Sequence, residues 1–266
     1  MRITSLIGMG LAALVATCSP AAAEWKTIEQ MNDEVTQTNF IIGNHCSGTL
    51  ISVEERLILT NHHCIRKYLK TETREVINLK GEVVEKKYQV LDSVPVSQKQ
   101  YADFEVVSSA SWTTDIMAYE EDVDLAVIRF RNENLPFDHA ASIYTDDQLL
   151  LGQVVYAVGN PRMLDLTVSK GVISSLNRTL RVGGKDLPYY QMDARIDGGS
   201  SGGSLYTEFG ELIGVPAAGN SNGSVNLAIP VVKIREFLEE NCFASVYDSE
   251  AESYEECMKP DEEEEE

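Results

Sequence analysis

Apolar positions along the chain fall in short runs separated by charges and turn formers, rather than at the three-to-four spacing of amphipathic helices. A first set comprises "NFIIGNHCSGTLIS", "RLILT", "EVINL", "GEVVEKKYQVLD", "FEVVSSASW" and "DLAVIRF", all rich in Val, Ile or aromatic residues. This pattern predicts strands. A looser stretch follows, "RNENLPFDHAASIYTDDQ", with Pro136 and several turn formers. A second set runs through "QVVYAVGN", "DLTVSKGVISSL", "YYQMDA", "SLYTEFGELIGV" and "SVNLAIPV". Only "VVKIREFLEEN" has convincing helical spacing, with Val232, Ile234, Phe237 and Leu238 approximating one face. Two blocks of short strands and one late helix predict an all-β fold of two barrels or a sandwich. Repeats of solenoid length are absent.

The N-terminus changes the compartment. Arg2, an apolar stretch from Leu6 to Ala16 and the run Ala21-Ala22-Ala23 predict a secretory signal peptide over residues 1–23, cleaved before Glu24. That stretch is too short to cross a bilayer, and no later one approaches the roughly 20 apolar residues required, so no transmembrane segment is expected. "LVATC" around Cys18 only loosely resembles a lipid-attachment site, with Thr17 a poor fit. The predicted product is exported, periplasmic or extracellular. Four cysteines follow the signal, namely Cys46, Cys64, Cys242 and Cys257, and an even count in an exported chain predicts two disulfides. Spacing alone leaves three pairings open.

Charge narrows the partners. The formal net charge is −20, and residues 248–266 alone hold eleven acids and one lysine. The closing "DEEEEE" predicts a solvated tail, and so acidic a chain argues against nucleic-acid binding.

The chemistry is concentrated in three places. "LILTNHHCI" puts His62 and His63 side by side at the end of an apolar run, "EEDVDLAVIRF" sets Asp124 before another, and "GGSSGGSLY" holds Ser201 in a glycine-rich turn. A serine hydroxyl is a weak nucleophile until an imidazole takes its proton. The imidazole in turn needs a carboxylate to fix its tautomer and stabilise the imidazolium. Glycines beside the serine let backbone N–H groups turn towards a developing oxyanion. Each feature alone has a plain structural reading, since histidines at strand ends, Asp before a strand and Gly-Ser turns are all commonplace. Together, in the order His, Asp, Ser, they are specific. A zinc site would need further ligands at suitable spacing, and neither a second His pair nor a CxxC is present; no metal or cofactor is expected.

With these residues in view, the chain resembles a trypsin/chymotrypsin-fold serine protease, with motifs from both its trypsin-like and HtrA-like branches. "CSGTLIS" with "LTNHHC" is similar to the trypsin pattern, "TNHH" to the HtrA form, and "QMDARIDGGSSGGSLYTEFGELIGV" with "VNLAIPV" to the HtrA pattern around its serine. The resemblance covers most of residues 40–240. It implies two six-stranded antiparallel β-barrels with a C-terminal helix, the barrels spanning roughly 36–131 and 151–230. The protease domain is then 24–240, followed by an acidic, Cys-containing tail over 241–266.

The resemblance also implies roles: His63 as base, Asp124 as its partner, Ser201 as nucleophile, and the N–H groups of Gly199 and Ser201 as the oxyanion hole. His62 and Asp193 are left structural. A Cys46–Cys64 disulfide follows from the family, and Cys242–Cys257 is expected to tie the segment after the helix to itself. Ser200 stands where trypsin-like zymogens carry an aspartate for a freed N-terminal ammonium, so the hole is expected to form without one. The turn reads GSSGGS rather than GDSGGP, with Ser204 in place of proline.

By the same resemblance, Arg195 lies at the base of the specificity pocket, with Ala217 and Ala218 of "GVPAAG" in one wall. An inward Arg195 would favour acidic substrate side chains. Asp193 and Asp197 would instead draw it outward and leave a pocket for a small or medium apolar residue, which is the reading favoured here. The expected function is a serine endopeptidase acting on proteins or peptides through an acyl-enzyme. An esterase with the same triad, or a silent binding protein on a protease fold, are the alternatives. Few residues follow position 240 here, so the regulated, peptide-sensing oligomers of many HtrA proteins are not expected; the sequence leaves the oligomeric state open.

Overall fold

Alternation within the strands sets the architecture. The computed structural model describes residues 28–77, 83–102, 105–146, 148–182, 185–219 and 225–259. The expected signal peptide and the terminal run from 260 lie outside the described residues. The chain enters through a helix, α1 (Ile28–Thr38), and then builds a closed barrel. Its strands are β1 (Asn39–Ile42), β2 (Cys46–Ser52), β3 (Leu57–Thr60), β6 (Val94–Ala102), β7 (Glu105–Glu120) and β8 (Leu125–Phe130), in the order β1-β2-β3-β8-β7-β6. A one-turn helix, α2 (His62–Ile65), follows β3. Between it and β6, β4 (Leu69–Ile77) and β5 (Val83–Leu91) pair only with each other, as a ribbon outside the barrel.

Strands β3 and β8 are apolar except for Thr60 and Arg129 because both their faces are covered. Ile58, Ala126 and Ile128 point into the barrel with Phe40, Leu50 and Phe130, whereas Leu57, Leu59, Leu125 and Val127 point the other way, into a core shared with the second lobe. Successive side chains on a strand face opposite sides, so burial on both gives an unbroken apolar run. Phe40 packs edge-on against Trp112, Phe130 and Phe137, with centroids 5.2–5.9 Å apart.

The second lobe consists of β9 (Ser142–Ile143), β10 (Val154–Gly159), β11 (Thr167–Val182), β12 (Lys185–Met192), β13 (Ser204–Thr207), β14 (Glu211–Gly219) and β15 (Asn226–Pro230). They form a seven-stranded sheet in the order β13-β10-β11-β12-β15-β14-β9, and β13 also pairs with β14. The β13–β14 pairing links the two ends of the six-strand run β13-β10-β11-β12-β15-β14, and β9 extends the sheet beyond β14. The added strand, β9, is two residues long and runs parallel to β14.

Helix α3 (Val231–Glu240) closes this lobe. Its buried face is Val231, Ile234, Phe237 and Leu238; Val232, assigned to that face from spacing, is exposed. A last short helix, α4 (Tyr254–Cys257), ends the described chain. Among the described residues no helix is long and apolar enough to cross a membrane.

Candidate active site

The elements that end at the seam between the lobes carry the three expected residues. His63 sits on α2 directly after β3, and its neighbour Cys64 is joined to Cys46 of β2 by a disulfide. A second disulfide joins Cys242 to Cys257. Asp124 precedes β8 with φ of 62°, a left-handed geometry that Asp tolerates better than most residues. Its two carboxylate oxygens divide the work: Oδ1 accepts the His63 backbone N–H at 2.9 Å, and Oδ2 lies 2.8 Å from His63 Nδ1. The Asn61 side chain donates to the Asp124 carbonyl at 2.9 Å and fixes the bend. With Nδ1 facing a carboxylate, the neutral ring carries its proton there and leaves Nε2 basic.

His62 has a different environment. It is 5 % exposed and stacks on Tyr119, with ring centroids 5.3 Å apart and planes 18° apart. Burial pushes its pKa below the ordinary histidine value, against the opposing pull of the Asp124 and Glu121 charges.

Ser201 lies in the turn before β13. Its Oγ is 3.5 Å from the Ala217 carbonyl, and among the described residues it makes no hydrogen bond to His63. Such bonds are often long before substrate arrives. Gly199 adopts φ of +100°, and a Cβ there would come within 2.5 Å of the Asn160 carbonyl oxygen, so the turn requires glycine. Among the described residues neither the Gly199 nor the Ser201 N–H has a hydrogen-bond acceptor.

A cavity of about 380 Å³ opens beside the serine, lined by Ile196, Asp197, Gly198, Ser201, Ala217, Ala218 and Gly219. Arg195 does not line it: its side chain is exposed, and its carbonyl accepts the Ser169 hydroxyl at 2.6 Å. Ile196 takes the place assigned to Arg195. An unpaired guanidinium in a closed pocket would lose its hydration, whereas isoleucine gains by burial. Asp193 accepts the Val172 N–H at 2.6 Å, a bond within the sheet.

Asp197 pairs with Arg162 rather than Arg195, its Oδ2 lying 2.7 Å from Nε and 2.6 Å from Nη2. The Gly198 N–H, followed by the Arg162 guanidinium, holds its carboxyl below the usual range. Sequence reasoning missed this pair because residues 35 apart gave no common pattern. It also missed the buried Ser47 and Asn160, which approach the turn from behind, since both fell within segments read only as strands, "NFIIGNHCSGTLIS" and "QVVYAVGN". The sulfurs of Cys46 and Cys64 lie within 4.8 Å of a His63 ring nitrogen, but a disulfide offers no thiolate to a metal.

The family described as "Trypsin-like peptidase domain" matches residues 46–215. Serine protease HTRA1A of Danio rerio is 34% identical over 150 residues, which are 55% of this chain and 30% of that protein. Serine protease HTRA2, mitochondrial, of Drosophila willistoni is 40% identical over 119 residues, 44% of this chain and 26% of that protein. The chain thus spans less than a third of these relatives' length. Among solved structures, Deg5 superposes with a TM-score of 0.58 at 26% identity, covering 78% of this chain and 90% of that one. The serine endoprotease from Yersinia pestis gives 0.57 at 23%, covering 81% and 66%, a likeness of fold. The breadth of the domain match, across both lobes and through all three site segments, places this chain in the trypsin-like peptidase domain family.

Proposed function

We propose that the chain is a serine endopeptidase in which His63, Asp124 and Ser201 form the triad. The observation that carries this reading is Asp124 gripping His63 through both oxygens, at 2.8 and 2.9 Å, across the seam from a serine turn with two acceptor-free N–H groups. His63 Nε2 takes the Ser201 proton as Oγ attacks the substrate carbonyl. The Gly199 and Ser201 N–H groups receive the oxyanion, each such donor being worth about 3 kcal/mol. The imidazolium then gives its proton to the leaving amine, an acyl-enzyme remains, and water activated by the same imidazole releases it.

The cavity walls, Ile196, Ala217 and Ala218, suit a small or medium apolar side chain before the cut bond. The named relatives are serine proteases, which supports protein or peptide substrates. Export through residues 1–23 accords with two disulfides, which persist in oxidising compartments.

A fluorophosphonate probe with casein as substrate tests the proposal. Labelling at Ser201 and casein cleavage are expected, both lost in Ser201→Ala and cleavage lost in His63→Ala, with each variant folded. Ester turnover without proteolysis would replace the reading by an esterase, and absence of labelling would replace it by a silent binding protein.

A further inference from the structure

The turn that carries the nucleophile has four successive carbonyls, from Gly198 to Ser201, and each accepts a hydrogen bond. The Arg162 N–H reaches Gly198 O at 2.6 Å, Ser47 Oγ reaches Gly199 O at 2.7 Å, the Gly203 N–H reaches Ser200 O at 3.0 Å, and the Ser47 N–H reaches Ser201 O at 2.7 Å. A trans peptide points its N–H away from its carbonyl, so a held carbonyl orients the next N–H. The Gly198–Gly199 and Ser200–Ser201 peptides supply the two acceptor-free N–H groups. The Gly199–Ser200 peptide joins them, and its orientation sets one relative to the other. Its Ser200 N–H stays within the turn, on Asp197 O at 2.9 Å, while Ser47 Oγ ties its carbonyl to the first lobe.

The Ser47 hydroxyl has no freedom to point elsewhere. It accepts the Asn160 backbone N–H at 2.8 Å and Asn160 Nδ2 at 3.2 Å, which leaves its single proton for Gly199 O. Asn160 Nδ2 is itself fixed by Asn39 Oδ1 at 2.7 Å and Phe40 O at 3.1 Å. Ser47 is 0 % and Asn160 3 % exposed, so water does not compete with these bonds. Ser47 follows Cys46, the disulfide partner of Cys64 next to His63, and its carbonyl accepts Thr60 Oγ1 at 2.7 Å.

We propose that Ser47 is a positioning residue for the oxyanion hole, its hydroxyl holding the Gly199–Ser200 peptide in register with His63 from the opposite lobe. The inference rests on the endopeptidase reading. Ser47→Ala is the test, assayed with a chromogenic peptide and with a peptide boronic acid that places an oxygen in the hole. Per folded molecule, kcat is expected to fall about tenfold to a hundredfold, the range a small misplacement of reacting groups produces. KM should stay within about threefold, and affinity for the boronic acid should fall in parallel with kcat.

Thr60→Val removes the bond to the carbonyl of the same residue; it should lower stability and leave kcat per folded molecule unchanged. Asn160→Asp keeps the volume but loses one donor to the hydroxyl, and is expected to lower kcat several-fold at constant KM. An unchanged kcat in Ser47→Ala or in Asn160→Asp, or a lowered kcat with undiminished boronic acid affinity, would overturn the proposal. Wild-type protein that fails to label at Ser201 would instead remove the endopeptidase reading and this inference with it.

Discussion

His62 and His63 share a helical turn, yet their surroundings give them different chemistry. His63 is half-exposed and gripped by Asp124, whereas His62 is buried against Tyr119, and burial lowers its pKa. A buried histidine with a lowered pKa binds fewer protons in the folded chain than in the unfolded one. Its contribution to stability is therefore complete above the ordinary value of 6.5 and is lost as pH falls below it, towards the lowered folded value. His62→Phe keeps the ring stack and removes the titration. The variant should retain activity, and thermal melts between about pH 7 and about pH 5 should show it gaining on wild type as the pH falls. Parallel melting curves for the two proteins would exclude this account. His63, Asp124 and Ser201 were legible because their residue types, order and flanking apolar runs are local features of the chain. Count from the serine does not tell which of two adjacent side chains turns inward; Arg195 is exposed and Ile196 lines the cavity.

At the scale of elements, β2 and the turn after β3 are coupled through Cys46–Cys64, both buried, across a sequence separation of 18. Closing a loop of that size is worth about 3 kcal/mol in the chain-entropy model. The bridge also sits beside both His63 and Ser47, so its removal reaches the site as well as the fold. Replacing both cysteines by alanine should lower unfolding free energy by about that amount in denaturant titrations and reduce kcat; a loss below about 1 kcal/mol would contradict it. Strands β3 and β8 were plain in the sequence because burial of both faces makes every residue but Thr60 and Arg129 apolar. Helix α1 was not, since over residues 29–38 Met31 and Val35 are the only apolar side chains and the others are polar. Strand β9 was invisible because two residues carry no period.

Across the whole molecule, one core spans the seam. Leu57, Leu59, Leu125 and Val127, from the strands that deliver His63 and Asp124, pack in the same cluster as Val215, Leu227 and Ile229 of the second lobe and Ile234, Phe237 and Leu238 of α3. The distance between His63 and Ser201 is thus set by packing rather than by a hinge. The segment after α3 completes this core. Phe243 is 0 % exposed and stacks on Tyr254 at 4.9 Å, the Arg129 guanidinium of the first barrel lies 4.7 Å over the Tyr254 ring, and the Ser245 hydroxyl reaches Glu55 at 2.6 Å. Cys242–Cys257 holds Phe243 and Tyr254 within one closed loop. Phe243→Ala should therefore cost about 3–5 kcal/mol, as buried Phe truncations do. Because the cavity lies in a core common to both lobes, calorimetry should show one transition shifted down as a unit, with activity lost along the same curve. Two separated transitions, or a cost below about 1 kcal/mol, would mean that the lobes are stabilised independently and that the C-terminal segment is not part of what holds His63 to Ser201.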